Sequence, residues 1–198
     1  MQSKYQIELT PFLVHHPYRC NYPTAQVHEI GHNLNLQHSN QGSIEYNDKT
    51  CMMGIGVVQD TTRKCFNVAK SAQLGWYSQR SITLDFTKRG AFRGDLIGVT
   101  NYGHANSAGK YVFVKVLGTV YGWASDLYIG FNLASGINAD VGEAPNMVTM
   151  YYMRPAGAQS YPSDLVSKAS AGTTVRFPNF AVSYSLFVRV NYINLSAS

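Results

Sequence analysis

Residues 27–39 read VHEIGHNLNLQHS. This stretch constrains the chain more than any other, because it brings three imidazoles and a carboxylate into one short helix and the turn after it. His28 and His32 are four apart. On an α-helix such side chains stand one turn above each other, so both rings can reach a common point with Glu29 beside them. Pro23 and Thr24 offer a helix start, with Thr24 able to cap free backbone N–H groups, and Val27, Ile30 and Leu34 recur at helical spacing, which predicts a helix over about 24–34. His38 lies six residues beyond His32. A continuing helix would point it away, so the chain must turn sharply near Asn35, and Asn tolerates the left-handed backbone that such a turn needs. With that turn made, His28, His32 and His38 are the candidate ligands of one zinc ion and Glu29 the candidate general base, a metal-hydrolase arrangement.

The remaining sequence divides into two textures. Residues 1–80 hold the zinc helix, loops rich in Asn, Gly and Asp, and a second helix expected at 67–74, where Ala69, Ala72 and Gln73 favour helix and Gly75 can end it. Residues 81–198 read as short strands separated by turn residues, with the boundary near 77–80. The run YVFVKV at 111–116 alternates at period two, and SLFVRVNYI at 185–193 places Leu186, Val188 and Val190 on one face. Further strands are expected at 81–86, 127–132 and 147–153, divided by Gly94, Gly136, Pro155 and Pro162. That spacing predicts a sandwich-like or similar antiparallel β-region. The fold class expected is α+β.

Composition excludes several classes of function. No apolar run approaches the roughly 18 residues of a membrane helix, so no membrane span is expected. The net charge is +5, but the sixteen Lys and Arg are scattered, with the densest cluster at Lys88, Arg89 and Arg93. No basic stripe interleaves with stacking aromatics, so no nucleic-acid partner is expected. The three cysteines, Cys20, Cys51 and Cys65, contain no CxxC pair. Their expected use is a disulfide between Cys51 and Cys65, with Cys20 paired elsewhere, against the alternative of buried free thiols. The N-terminal MQSKYQIELT shows no signal-peptide pattern, and Asn194–Ser196 is a glycosylation sequon.

The zinc segment resembles the metzincin motif HExxHxxGxxH, with His28, Glu29, His32 and His38 at its metal-binding and catalytic positions and Asn35 where the family has Gly. Metzincins also carry a tight turn with a Met beneath the zinc. The segment DKTCMMG at 48–54 looks like that turn, with Met53 preferred over Met52. Taken together, CNYPTAQVHEIGHNLNLQHS, EYNDKTCMMG and CFNVAKSAQLGWY resemble the gametolysin (autolysin) family of secreted metalloproteases known from algal cell-wall digestion. The resemblance covers residues 20–77. It implies zinc as cofactor, a protein substrate such as a cell-wall or matrix glycoprotein, an extracellular location, and hydrolysis by a zinc-activated water with Glu29 as base. Ile55 and Gly56 follow the Met-turn where some metzincins have a zinc-binding Tyr, so no such ligand is expected. A metzincin also has an upper subdomain before the zinc helix, and here about twenty residues precede it, which fits a fragment.

The rival reading is a catalytically weak or inactive piece whose β-rich part is a binding or adhesive module, with Tyr121 and Trp123 as sugar-stacking candidates. None of the fourteen tyrosines stands out in sequence as a helper of catalysis, Tyr46 and Tyr77 being merely near.

Overall fold

The computed structural model describes residues 22–42, 44–54, 64–86, 88, 90–104, 107–118, 124–155, 160–181 and 184–195. Cys20, Ile55, Gly56, Arg89, Tyr121, Trp123 and the sequon's Ser196 therefore lie outside the described residues. The fold is α+β, mostly sheet. Its elements run α1 (Pro23–Asn33), β1 (Ser39–Asn40), α2 (Val68–Gln73), β2 (Ser81–Leu84), β3 (Phe113–Val116), β4 (Asp126–Asn132), β5 (Met147–Met153), β6 (Ser163–Ala169), β7 (Thr174–Ala181) and β8 (Tyr184–Arg189).

Six strands form one sheet in the order β1-β6-β5-β4-β3-β2, and β7 pairs with β8 as a separate hairpin. The centre of the sheet is antiparallel, as period-two alternation predicts, but both edges are not. β1 runs parallel to β6 and β2 parallel to β3, so the sheet is mixed. The antiparallel expectation fails at these edges because their partners arrive by long excursions, residues 85–112 in the case of β3, and not by tight turns.

Alternation along the strands gives the sheet two apolar faces. Leu84, Val114, Val116, Leu127, Ile129, Val148 and Met150 share one buried cluster with Phe177, Phe180 and Val190 of the hairpin region. Phe113, Tyr128, Tyr151, Met153 and Leu165 share another with Val68 and Ala69 of α2. Each fully buried aliphatic side chain contributes about 1.5–3 kcal/mol, and these two layers pack the sheet between hairpin and helix. A cavity of about 360 Å³ opens on the hairpin side, among Leu84, Val116, Ile129, Phe131 and Leu186; none of its walls belongs to the histidine segment.

On the α2 side a buried polar seam ties the loops to the sheet. Ser39 and Ser163 share a hydrogen bond of 2.6 Å between hydroxyls, and the Asn67 amide donates to both hydroxyls and to Asp48 Oδ2 at 3.1 Å. Asp48 Oδ1 accepts from the Thr50 N–H and hydroxyl, and Thr50 Oγ1 in turn meets Tyr151 O–H at 2.7 Å. Asp48 is wholly buried, and desolvation pushes its carboxyl up, an effect that Thr50 and Asn67 oppose.

Lys70 is also wholly buried and donates to the Tyr161 carbonyl at 2.8 Å. Desolvation brings its amine down from 10.5 to about 8. Between these two values the unfolded chain holds a proton that the folded chain sheds, so the contribution of Lys70 to stability rises as pH climbs through the window. Comparing Lys70→Met with the wild type isolates this effect from other titrating groups. The difference in melting midpoint is expected to move in the wild type's favour from about pH 7.5 to about pH 9.5, and thermal melts of both proteins would expose a flat difference if the amine were in fact solvated.

Two helices sit close to their expected places. α2 begins after Asn67, whose side chain accepts from the Lys70 N–H, and is followed by Gly75 at φ 74°. α1 departs from expectation in two respects. Its N-cap is Tyr22, with no side-chain cap bond, and Thr24 is buried inside the first turn. The buried residues are Thr24, His28 and Gly31, whereas Val27, Ile30 and Leu34 are 38%, 52% and 44% exposed. The helical period was legible, but the face turned inward is the one that carries the small residue and the histidine.

Candidate metal centre

The end of α1 sets the site. Asn35 has φ 63°, the left-handed conformation expected of it. Its N–H donates to the His32 carbonyl at 2.8 Å and the Leu36 N–H to the Gly31 carbonyl at 2.9 Å. These paired bonds are a Schellman motif, in which the residue after the cap turns left-handed and an apolar residue follows; here Leu36, 1% exposed, is that residue. The Gln73 amide of α2 donates to the Asn35 carbonyl at 2.8 Å and pins the turn from outside. The chain then doubles back, and the His38 carbonyl accepts from the Ser163 N–H at 3.2 Å, anchoring the third histidine to the sheet edge just before β1.

This path brings the three rings together. Ring centroids are 4.9 Å apart for His28 and His32, 4.8 Å for His32 and His38, and 5.6 Å for His28 and His38. Each ring is held from behind through Nδ1. His28 Nδ1–H donates to the Met52 carbonyl at 2.9 Å, His32 Nδ1–H to the Leu36 carbonyl at 2.8 Å, and His38 Nδ1–H to Glu45 Oε1 at 2.6 Å. Carbonyl and carboxylate oxygens only accept, so each neutral ring must carry its proton on Nδ1 and present a bare Nε2.

The donor set fits a metal ion. One ring nitrogen from each histidine lies within 4.8 Å of the other two, and His32 Nε2 faces His38 Nε2 at 3.1 Å. Two lone pairs at that distance repel unless a cation or a proton stands between them. In a tetrahedral zinc site with bonds of about 2.0–2.1 Å, neighbouring nitrogens are roughly 3.3 Å apart. Burial holds the His28 imidazole below its ordinary 6.5, which the Met52 carbonyl partly offsets and the neighbouring His32 reinforces. A ring kept neutral in this way is ready to ligate. Glu29, next to the first of the three, is exposed on α1.

Beneath the rings the turn 51–54 closes with a Gly54 N–H to Cys51 carbonyl bond of 3.0 Å. Met53 is fully buried, and a Cβ placed on Gly31 would lie 2.3 Å from its sulfur, so the absence of a side chain at Gly31 lets Met53 press against the helix between His28 and His32. Met52 supplies the carbonyl that holds His28. Gly54 is still more restricted, since a Cβ there would stand 1.8 Å from the Asp48 carbonyl oxygen. Gly54→Ala must therefore move the turn. A loss of about 2–4 kcal/mol in unfolding free energy is expected from such backbone overlap, and chemical denaturation that showed the variant unchanged would mean the turn is not packed in this way.

Cys51 and Cys65 are free thiols, contrary to the disulfide expected from their spacing. Cys51 Sγ is buried and engaged as an acceptor from the Met53 and Asn67 N–H groups at 3.4 and 3.2 Å. Burial pushes the Cys65 thiol up to about 11.

A profile of the family described as Gametolysin peptidase M11 matches residues 10–114, just over half of the chain. The chain belongs to the gametolysin peptidase family. Searches among curated proteins and among solved structures gave no significant match. For a gametolysin-family peptidase, the matched span holds the whole histidine cluster, the turn 51–54 and α2. Among the described residues, His28, His32 and His38 form a group able to hold a metal ion, and no helix is long and apolar enough to cross a membrane.

Two residues that no spacing rule marks also belong to the cluster. Glu45 holds the edge of His38, and Tyr46 lies over its face with ring centroids 3.8 Å apart. Burial, with the negative charges of Glu45 and Glu29, pushes the Tyr46 phenol up from its ordinary 10.0. Tyr77, the other tyrosine near in sequence, packs instead beside Tyr102 and against the α2 cluster.

Proposed function

We propose that the chain is a zinc-dependent endopeptidase acting outside the cell on protein, with cell-wall or matrix glycoproteins as the substrate class. In this reading His28, His32 and His38 hold zinc, Glu29 is the general base, and Met53 is the Met-turn residue supporting the site. The observation that carries it is the convergence of three imidazoles that all have Nδ1 engaged outward and Nε2 bare. Peptidase-family membership supports the reaction class.

Zinc, when bound, supplies the Lewis acidity that polarises a peptide carbonyl and acidifies a water molecule. The chain supplies the rest. The Met52, Leu36 and Glu45 acceptors fix the tautomer and plane of each ring, which removes the cost of ordering three side chains at the moment of binding. The Glu29 carboxylate takes a proton from water and returns it to the leaving amine. The Met53 side chain and the Asp48 seam keep the floor beneath the rings from shifting.

The test is cleavage of casein or gelatin by the purified protein. Activity that a chelator abolishes and zinc restores is expected. Cleavage indifferent to chelation would remove the metal from the mechanism, and zinc uptake without cleavage would favour a degenerate enzyme.

A further inference from the structure

Tyr46 has φ 64°, a backbone conformation that costs a bulky L-residue roughly 1–2 kcal/mol. Its N–H donates to Asn40 Oδ1 at 3.3 Å. The turn 51–54 closes against its carbonyl, since a Cβ on Gly54 would lie 3.2 Å from Tyr46 O. The backbone is thus held in its strained state from two sides.

The residue is 38% exposed, so this is not a core position whose packing alone accounts for the conformation. The strain places the ring instead. It lies over His38 at 3.8 Å with planes inclined 36°, and its centroid is 6.1 Å from that of His28. The preceding residue, Glu45, grips the same imidazole by its Nδ1–H. Consecutive side chains therefore bracket one ring, a carboxylate on its edge and an aromatic on its face. His38 needs this more than its partners, because it lies past the end of α1 in a segment with no helix to orient it.

We propose that Tyr46 is a positioning residue whose ring fixes the plane of His38 for metal binding, and that its strained backbone is retained for that purpose. This rests on the reading that the three histidines hold zinc. Strain held at such a place trades stability for function, so one substitution should move the two in opposite directions. In Tyr46→Gly the φ becomes free of strain and the ring is gone. In Tyr46→Phe the ring and the strain both remain.

The experiment measures zinc affinity by competition with a chromophoric chelator, and the melting midpoint of the metal-free protein, for the wild type and both variants. Tyr46→Gly is expected to bind zinc about 10–100-fold more weakly, as for the loss of an outer-shell partner, while its metal-free midpoint is unchanged or higher. Tyr46→Phe is expected to stay within about 2-fold of the wild type in affinity. Wild-type affinity in the Gly variant would overturn the inference alone. So would a Phe variant as weak as the Gly variant, which would assign the role to the hydroxyl, or a metal-free midpoint that falls by several degrees in Tyr46→Gly, which would make the ring a packing element. A wild type that takes up no zinc would overturn the metal reading and this inference with it.

Discussion

Glu29→Gln is expected to lower the kcat for casein or gelatin by about 10²–10⁴-fold, the usual contribution of a positioned general base, with zinc content unchanged. Glutamine keeps the size and polarity of the side chain but has no lone-pair oxygen basic enough to accept a proton from water. Glu29 is exposed on α1 and makes none of the bonds that hold the three rings, so neither fold nor metal site has reason to respond. Surface changes of this kind stay within about 0.5 kcal/mol in stability. Paired measurement of zinc stoichiometry and kcat is decisive, because a variant that lost its metal would lose activity for a different reason. Undiminished turnover would assign the proton transfer to another group.

With His32 a zinc ligand as proposed, His32→Ala is expected to weaken zinc binding by more than about 100-fold, the upper range for outer-shell losses, because the substitution then removes a ligand itself. The ring does two things at once. Its Nε2 faces His38 Nε2 at 3.1 Å, and its Nδ1–H satisfies the Leu36 carbonyl just past the Schellman turn. Loss of the second bond leaves a carbonyl that water can reach, since His32 is half-buried, so folding should survive. Equilibrium dialysis against zinc would separate this from unfolding, with far-ultraviolet circular dichroism as the control. Stoichiometric zinc at wild-type affinity in the variant would show that the metal lies elsewhere.

The convergence of the three histidines was legible because its geometry is local. The four-residue spacing of His28 and His32 and a single left-handed residue, Asn35, determine where the rings go, and both are written in thirteen consecutive letters. What surrounds the site was not legible. Glu45 and Tyr46 reach His38 across a loop whose course is fixed by Gly54 fitting against the carbonyls of Asp48 and Tyr46. The seam of Ser39, Asp48, Asn67 and Ser163 joins residues up to 124 positions apart, and no period in the sequence announces it. Hydrophobic period had a similar limit in α1. Val27, Ile30 and Leu34 predict a helix correctly, yet they face outward, since a period identifies a stripe but not what covers it.

The sheet shows the same division. β5 was expected at 147–153 and is found at Met147–Met153, because a mainly apolar and aromatic run suits a central strand buried on both faces. β6 and β7 were missed. Only Leu165 and Ala169 stand out as buried apolar positions in β6, whose buried Ser163 serves the polar seam instead. β7 contains Pro178, which reads as a breaker but falls where the hairpin register shifts, between Phe177 and Ala181. Parallel pairing of β2 with β3 and of β1 with β6 depends on long connections that strand patterns do not encode.

X-ray absorption at the zinc edge of the metal-loaded wild type addresses the central claim most directly. One zinc per chain is predicted, with three imidazole nitrogens at about 2.0–2.1 Å and no sulfur in the shell. A sulfur scatterer at about 2.3 Å, drawn from Cys51 or Cys65, or the absence of bound zinc would contradict it.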